Sequence, residues 1–270
     1  MFGPQGAFPP AVRLMDERSL IYDWNTVEYD FKRDASNHPH GVWFDDETLR
    51  DGLQSPSARN PTIEQKIELL SYMEQLGLQK VDLGLPGAGP FHRNHIDAML
   101  THIRENDYAI RPGAAVRTLM GDIEPLVEMQ AKHEMEIQAS AFLGTSPIRQ
   151  YTEGWTMEKL MTTMEKAVSY AVDNDVPVMF VTEDTTRSNP EDVKMIYQRA
   201  MELGVRRLCV CDTAVMSRPT ASRNSSPSSM KKSSRTQATS AGTSRSTGTA
   251  TKTAVWVWPT TSLPWKLAPT

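Results

Sequence analysis

From residue 42 to residue 213, short apolar runs of strand type alternate with longer segments whose apolar positions recur at helical spacing. The runs read VWFDDE (42–47), KVDLGL (80–85), RPGAAV (111–116), EIQASAFLG (136–144), VPVMFVTED (176–184) and RRLCVCDT (206–213). Helices are predicted over 62–76, 91–106, 123–133, 156–174 and 190–203. Asn189 ahead of Pro190 supplies a start signal, and Gly77 and Gly204 supply stops. Strands joined through helices run parallel, because the long crossover returns the chain to the same end of the sheet. The alternation therefore admits two architectures, a doubly wound sheet or a (β/α)8 barrel.

Charged residues favour the barrel. The C-terminal ends of the runs carry Asp46 and Glu47 with Arg50 and Asp51, then Asp82, Arg117, Glu183 with Asp184, and Asp212 with Thr213. One polar residue at a strand end merely caps a solvated loop. A series of them in register marks the face on which barrels place their chemistry. Closing such a barrel takes two more units, yet the pattern stops at Thr213. The expected fold is thus α/β, an incomplete TIM (β/α)8 barrel of about six βα units, with runs 42–47 and 206–213 left as unpaired edges.

Composition changes at the same point. All 33 acidic residues precede Ala214, whereas the last 57 residues hold 8 of the 29 Lys and Arg together with 23 Ser or Thr. A segment so poor in apolar surface cannot offset its ordering entropy, so residues 214–270 are expected to be a disordered basic tail without strands. The chain then divides into an N-terminal extension (1–40), a partial-barrel catalytic domain (41–213) and the tail (214–270). Residues 1–19 show no charged segment followed by an apolar run, and no stretch approaches the roughly 18 apolar residues that span a bilayer. The cysteines, Cys209 and Cys211, occupy adjacent same-face positions of one strand, as buried thiols do. A cytoplasmic protein without a membrane partner is the expectation.

The most specific stretch is DDETLRDGLQSP, residues 45–56. A strand ending in Arg-Asp-Gly can set a carboxylate on a divalent cation with a guanidinium beside it, while the glycine turns the backbone away. With ETLRDGLQ, VDLGLPGAGP, AAVRT, FLGTSPIRQY, FVTEDTTRSNPED and CDT following in order, residues 41–213 resemble a family of metal-dependent Claisen-type acyltransferases and lyases. It includes 2-isopropylmalate synthase, homocitrate synthase, citramalate synthase and 3-hydroxy-3-methylglutaryl-CoA lyase. The resemblance implies condensation of acetyl-CoA with a 2-oxo acid, dependence on a divalent metal (Mg, Mn or Zn), and a homodimer for the intact enzyme. It implies Asp51 as a metal ligand and Arg50 as the catalytic arginine that meets the developing oxyanion. Glu183 is implied as a further catalytic residue, with Gln54, Arg117 and Thr213 as substrate contacts. Asp82 stands where the family has Glu and is assigned to the substrate or to Arg50. A lyase acting on a 3-hydroxyacyl-CoA is the alternative within the same fold.

The family's remaining ligands, a His-x-His on strand seven, have no counterpart in this frame. Shifting the reading frame by one base from Thr247 permits WHGHKDRGLGVAN, which resembles that strand. Tryptophan has a single codon, so Trp256-Val257, Trp258-Pro259 and Trp265-Lys266 force Gly, Ala and Glu in the shifted frame, as the pattern requires. The tail is accordingly read as a frameshifted continuation, and the chain as given is expected to be inactive. Its basic run MKKSSR has no regular array of stacking side chains, so no nucleic-acid partner is expected. A non-catalytic protein whose tail recruits an acidic partner is the rival reading. The pairs His38/His40 and His92/His95 have metal-like spacing but no carboxylate at a supporting distance, and are read as a loop and a helix start.

Overall fold

The computed structural model describes residues 20–22, 43–56, 58–214, 239–240 and 254–259. Six strands run parallel in chain order: β1 (Asp45–Asp46), β2 (Lys80–Asp82), β3 (Arg111–Arg117), β4 (Gln138–Gly144), β5 (Val178–Glu183) and β6 (Arg207–Asp212). Helices α1 (Ile63–Gln75), α2 (Pro90–Glu105), α3 (Met120–His133), α4 (Pro147–Glu153), α5 (Met157–Asp173) and α6 (Pro190–Glu202) connect them. This is the expected incomplete barrel: neighbours in sequence are neighbours in the sheet, as they must be when right-handed crossovers keep every helix on one face.

Local chemistry sets the helix limits. Thr62 opens α1 with a capping box, its hydroxyl accepting from the Gln65 N–H while the Gln65 side chain accepts from the Thr62 N–H. Asn189 caps α6 and Pro190 takes the first helical position. The predicted start of α3 moves forward to Met120, because Pro125 is tolerated within the helix. Helix α4 was not anticipated. Ser146 caps it and Pro147 begins it, but seven residues are too few to show a helical period.

Strand residues alternate between two faces. Val81, Ala114, Val116, Ala139, Ala141, Val178, Phe180, Leu208 and Val210 join the main core with Leu70, Leu100, Ile123, Leu126, Leu160 and Ile196 from the helices. Met164, Met129 and Met99 fill that core, the gap-filling role expected of methionine. The opposite, concave face carries a smaller apolar cluster, Met179, Val181, Cys209 and Cys211, against which Phe142 packs. Both cysteines are free and buried, with their sulfurs 3.6 Å apart.

Two expectations are corrected at the sheet edges. β1 is two residues long, because Trp43 and Phe44 fall outside the ladder and are exposed. The tail also contributes strands: β8 (Ala254–Pro259) pairs antiparallel with all six residues of β6, and β7 (Thr239–Ser240) pairs antiparallel with β8. The edge at β6 is therefore covered. The segment AVWVWP is β-branched and aromatic enough to satisfy an open ladder whatever its origin. The rest of the tail, all but three residues of the 1–40 extension, and the His38/His40 pair lie outside the described residues. Among those described, no helix is long and apolar enough to cross a membrane.

Candidate functional site at the C-terminal strand ends

All strand-end polar residues lie at one rim because the strands are parallel, and the β1 loop builds the centre of the site. After Asp46 the chain turns tightly, with Asp46 Oδ1 accepting from the Thr48 N–H and the Glu47 carbonyl accepting from the Arg50 and Gly52 N–H groups. The turn points Arg50 back over the sheet, where its guanidinium donates to Glu47 Oε2 at 2.8 Å from Nε and lies 2.6 Å from it through Nη2. Asp51 Oδ1 is 3.5 Å from Nη1, and Asp82 Oδ2 is 3.7 Å from Nε. Three carboxylates thus surround one cation whose side chain keeps 26% exposure, leaving it accessible from the concave side.

Charge balance in this cluster is uneven. Burial opposes the charge on Arg50, but Glu47, Asp82 and Asp51 together hold its pKa above the ordinary arginine value. Burial and the neighbouring Asp82 charge push Glu47 up to about 8. Asp82, fully buried at the end of β2, is also raised by burial, even though Arg50, Lys80 and the Gly84 N–H draw it down. One of its oxygens accepts from Gly84 N–H at 2.9 Å; the other is buried without a hydrogen-bond partner. Negative charge exceeds positive here, so the Glu47/Asp82 pair retains a proton toward neutral pH, a property of the pair.

The remaining residues are distributed around the rim. Arg117 ends β3 and is held by the buried Asp122 at the start of α3, its Nε donating at 2.8 Å and Nη2 at 2.7 Å, with its own backbone N–H donating to the same carboxylate at 2.9 Å. That carboxylate fills the space beside Gly87, where a Cβ would lie 1.9 Å from Asp122 Oδ1, so only glycine fits. Glu183 ends β5 beside Gly144. Burial lifts its carboxyl above the usual range although Arg149 and Arg50 oppose the rise. Gln54 is exposed in the single-turn 3-10 helix Asp51–Gln54, Asp51 is half-buried, and Thr213 is half-buried just past β6. Behind the rim, Thr186 donates to the buried Asp212 at 2.6 Å and Arg187 forms a two-pronged pair with Asp184.

The structure thus gathers Arg50, Asp51 and Asp82 into one cluster, with Glu183 near enough to feel the Arg50 charge; Arg117 is engaged by Asp122. Sequence reasoning missed three partners. Glu47 holds Arg50, and its signal was the i, i+3 spacing in ETLR. Asp122 orients Arg117. Arg149 lies beside Glu183 and is delivered by the unanticipated helix α4. For a divalent cation the fit is poor: among the described residues no three His, Cys, Asp or Glu side chains are grouped to hold one. His92 and His95 lie in the first two turns of α2 against Phe91, at the helix start where they were expected.

Comparison with known proteins agrees with this geometry. The HMGL-like family model matches residues 42–251. The 2-isopropylmalate synthase of Solidesulfovibrio magneticus is 31% identical over 179 residues, which covers 66% of this chain and 34% of that protein. Homocitrate synthase AksA of Methanopyrus kandleri is 28% identical over 186 residues, covering 68% and 44%. The chain therefore spans between a third and a half of the length of these relatives. Among solved structures, the HMG-CoA lyase from Brucella melitensis superposes with a TM-score of 0.52 at 18% identity, covering 67% of this chain and 64% of the other. The HMG-CoA lyase from Bacillus subtilis superposes at 0.54 with 16% identity, covering 69% and 63%; at such identities the likeness speaks for the fold alone. With parallel strands delivering their charges to one rim, and a family match over most of its length, this chain belongs to the HMGL-like family.

Proposed function

We propose that the partial barrel is the catalytic half of an acyltransferase that condenses acetyl-CoA with a 2-oxo acid, in the manner of 2-isopropylmalate and homocitrate synthases, inside the cytoplasm. The observation that carries this reading is Arg50, an exposed-tipped guanidinium fixed by Glu47, Asp51 and Asp82 at the C-terminal rim. In such a condensation the methyl carbon of the thioester loses a proton and attacks the ketone carbon. The carbon–carbon bond forms as the carbonyl electron pair moves onto oxygen, which then takes up a proton; water hydrolyses the resulting thioester, breaking its carbon–sulfur bond and freeing the coenzyme A thiol. A fixed cation facing the ketone oxygen stabilises the charge without having to reorganise. Glu183, whose carboxyl burial raises above its ordinary value, is suited to accept or return a proton beside it. Arg117, locked by Asp122, presents the rest of its guanidinium to a substrate carboxylate.

Family relatives use a divalent metal, which acts as a Lewis acid on the 2-oxo acid. Of the ligands implied by the resemblance, the described residues supply Asp51. A single carboxylate improves little on water for Mg²⁺, which requires an octahedral oxygen shell. The chain as given is accordingly proposed to have negligible turnover, and the intact enzyme to be a homodimer.

The test is release of free thiol from acetyl-CoA in the presence of a panel of 2-oxo acids. It is applied to the chain as given and to one whose reading frame is shifted by one base after Thr213. Turnover confined to the second supports the proposal. Cleavage of a 3-hydroxyacyl-CoA by that chain, without condensation, would replace it with the lyase reading. A salt-sensitive protein complex lost on removal of residues 214–270, with neither activity, would favour a binding role.

A further inference from the structure

We propose that the opposite, N-terminal end of the concave face is a binding site for a small oxyanion. A cavity of 230 Å³ opens there, lined by Lys80, Arg111, Pro112, Glu136, Gln138 and Arg207. A water's share of liquid volume is about 30 Å³, so the space accommodates a phosphate- or sulfate-sized ion together with some of its hydration. Lys80, Arg111, Gln138 and Arg207 all stand at the first residues of their strands. The parallel sheet therefore brings them to one end, just as it gathers the catalytic residues at the other.

The donors that face this cavity are only partly answered by acceptors. Lys80 is neutralised by its contact with Asp45. Arg207 donates to Gln138 Oε1, and because a guanidinium can only donate, the amide is fixed with Nε2 turned away from it. That Nε2 is buried and has no hydrogen-bond partner among the described residues, in a side chain only 4% exposed. Arg111 and Arg207 share one indole, their Cζ atoms 4.7 and 5.8 Å from the Trp43 ring centroid. Burial and the Arg111 charge press the Arg207 guanidinium below its ordinary pKa, while Glu136 and Asp45 only partly relieve it. Glu136 is the single acid of the lining. An anion seated here would satisfy the Gln138 amide and offset the repulsion between the two arginines.

Space for such a site is also built into the backbone. At Gly113 a Cβ would come within 3.0 Å of the Lys80 Cε and 3.3 Å of the Gln138 carbonyl oxygen, so a larger residue would push into the side chains that frame the cavity.

The experiment is a calorimetric titration of the full chain with sodium sulfate, and separately with sodium phosphate, against chloride at matched ionic strength. The expected result is a saturable one-to-one isotherm with a dissociation constant of about 1 mM or tighter. Loss of one charge-assisted donor should weaken it by about ten-fold in Arg111→Gln and in Arg207→Gln. Arg111 is exposed, so its replacement leaves the core intact and keeps the test decisive if Arg207→Gln fails to fold. Lys194→Gln, on the far surface of α6, should bind as the parent does. Trp43→Phe should retain binding while losing the anion-dependent part of the tryptophan emission. No saturable heat up to tens of millimolar, or equal affinity in the parent and both arginine variants, means an adventitious ion only and overturns the proposal.

Discussion

Residues 58–214 and the tail beyond them meet along one ladder, β6 against β8, yet the two are held by different physics. On the barrel side every strand is paired in parallel with its sequence neighbour, and its outward residues are buried under helices; Val81, Ala114, Ala139, Phe180 and Leu208 are all but inaccessible. On the tail side, the pairing with Arg207–Asp212 is antiparallel, the reverse of what a seventh barrel unit would supply. Backbone hydrogen bonds accept any extended segment of suitable propensity. A helix-covered core accepts only side chains of the right size at the right period. The open edge of β6 therefore recruits AVWVWP without making the tail a continuation of the barrel.

The largest expected effect tests that distinction directly. Shifting the reading frame after Thr213 should restore the missing strand seven with its His-x-His ligands and raise turnover from background to a readily measured rate. The nucleotide sequence checks the premise first: the codons of Gly248 and Ala250 should end in C, that of Val255 in T or C, and that of Pro259 in A. Other bases at Gly248 and Ala250 would leave the shifted frame unable to spell His-x-His and would break the comparison.

Within the barrel body, Phe180→Ala should lower stability by about 3–5 kcal/mol, the usual cost of emptying a fully buried aromatic site. Chemical denaturation of the full chain would measure it. Trp265→Ala, in the Ser/Thr-rich tail, should alter stability by no more than about 0.5 kcal/mol, because a segment of that composition has little apolar surface to bury. Comparable losses at both positions would show that the tail is as well packed as the barrel.

In the frame-restored enzyme, Arg50→Ala should reduce kcat by about 10²–10³-fold, the loss typical of one oxyanion donor. Glu47→Gln keeps the size of the side chain but removes the charge beside Arg50. It should act mainly on kcat, with KM little changed, if Glu47 positions the guanidinium and does not touch substrate. Near-normal turnover in Arg50→Ala would give the oxyanion role to another residue.

The smallest effect is a pH dependence. Glu47 titrates near 4.5 when unperturbed and near 8 in the fold, so between these values the folded chain binds more protons than the unfolded chain. Stability from this group is complete below about pH 4.5 and falls as pH rises toward 8. Glu47→Gln should flatten the decline in denaturation midpoint across that window. An unchanged slope would move the retained proton to Asp82.

Much of this molecule is legible in local chemistry. Caps at Thr62 and Asn189, apolar period in the helices, and apolar runs bounded by charge are properties of a few consecutive residues, which is why six strands and five helices lie near their expected places. The parallel arrangement follows from crossover length alone, and it forces Arg50, Asp82, Arg117 and Glu183 to one rim before any coordinate is known. Contacts between distant segments are another matter. That Arg50 leans on Glu47 and faces a buried Asp82, that Asp122 holds Arg117, and that Arg207 turns the Gln138 amide into an unanswered donor all depend on rotamers and on how closely two strands approach. Sequence fixes which charges reach each end of the sheet, because strand direction and period are local; only the packed tertiary structure decides which of those charges neutralise one another and which are left facing a ligand.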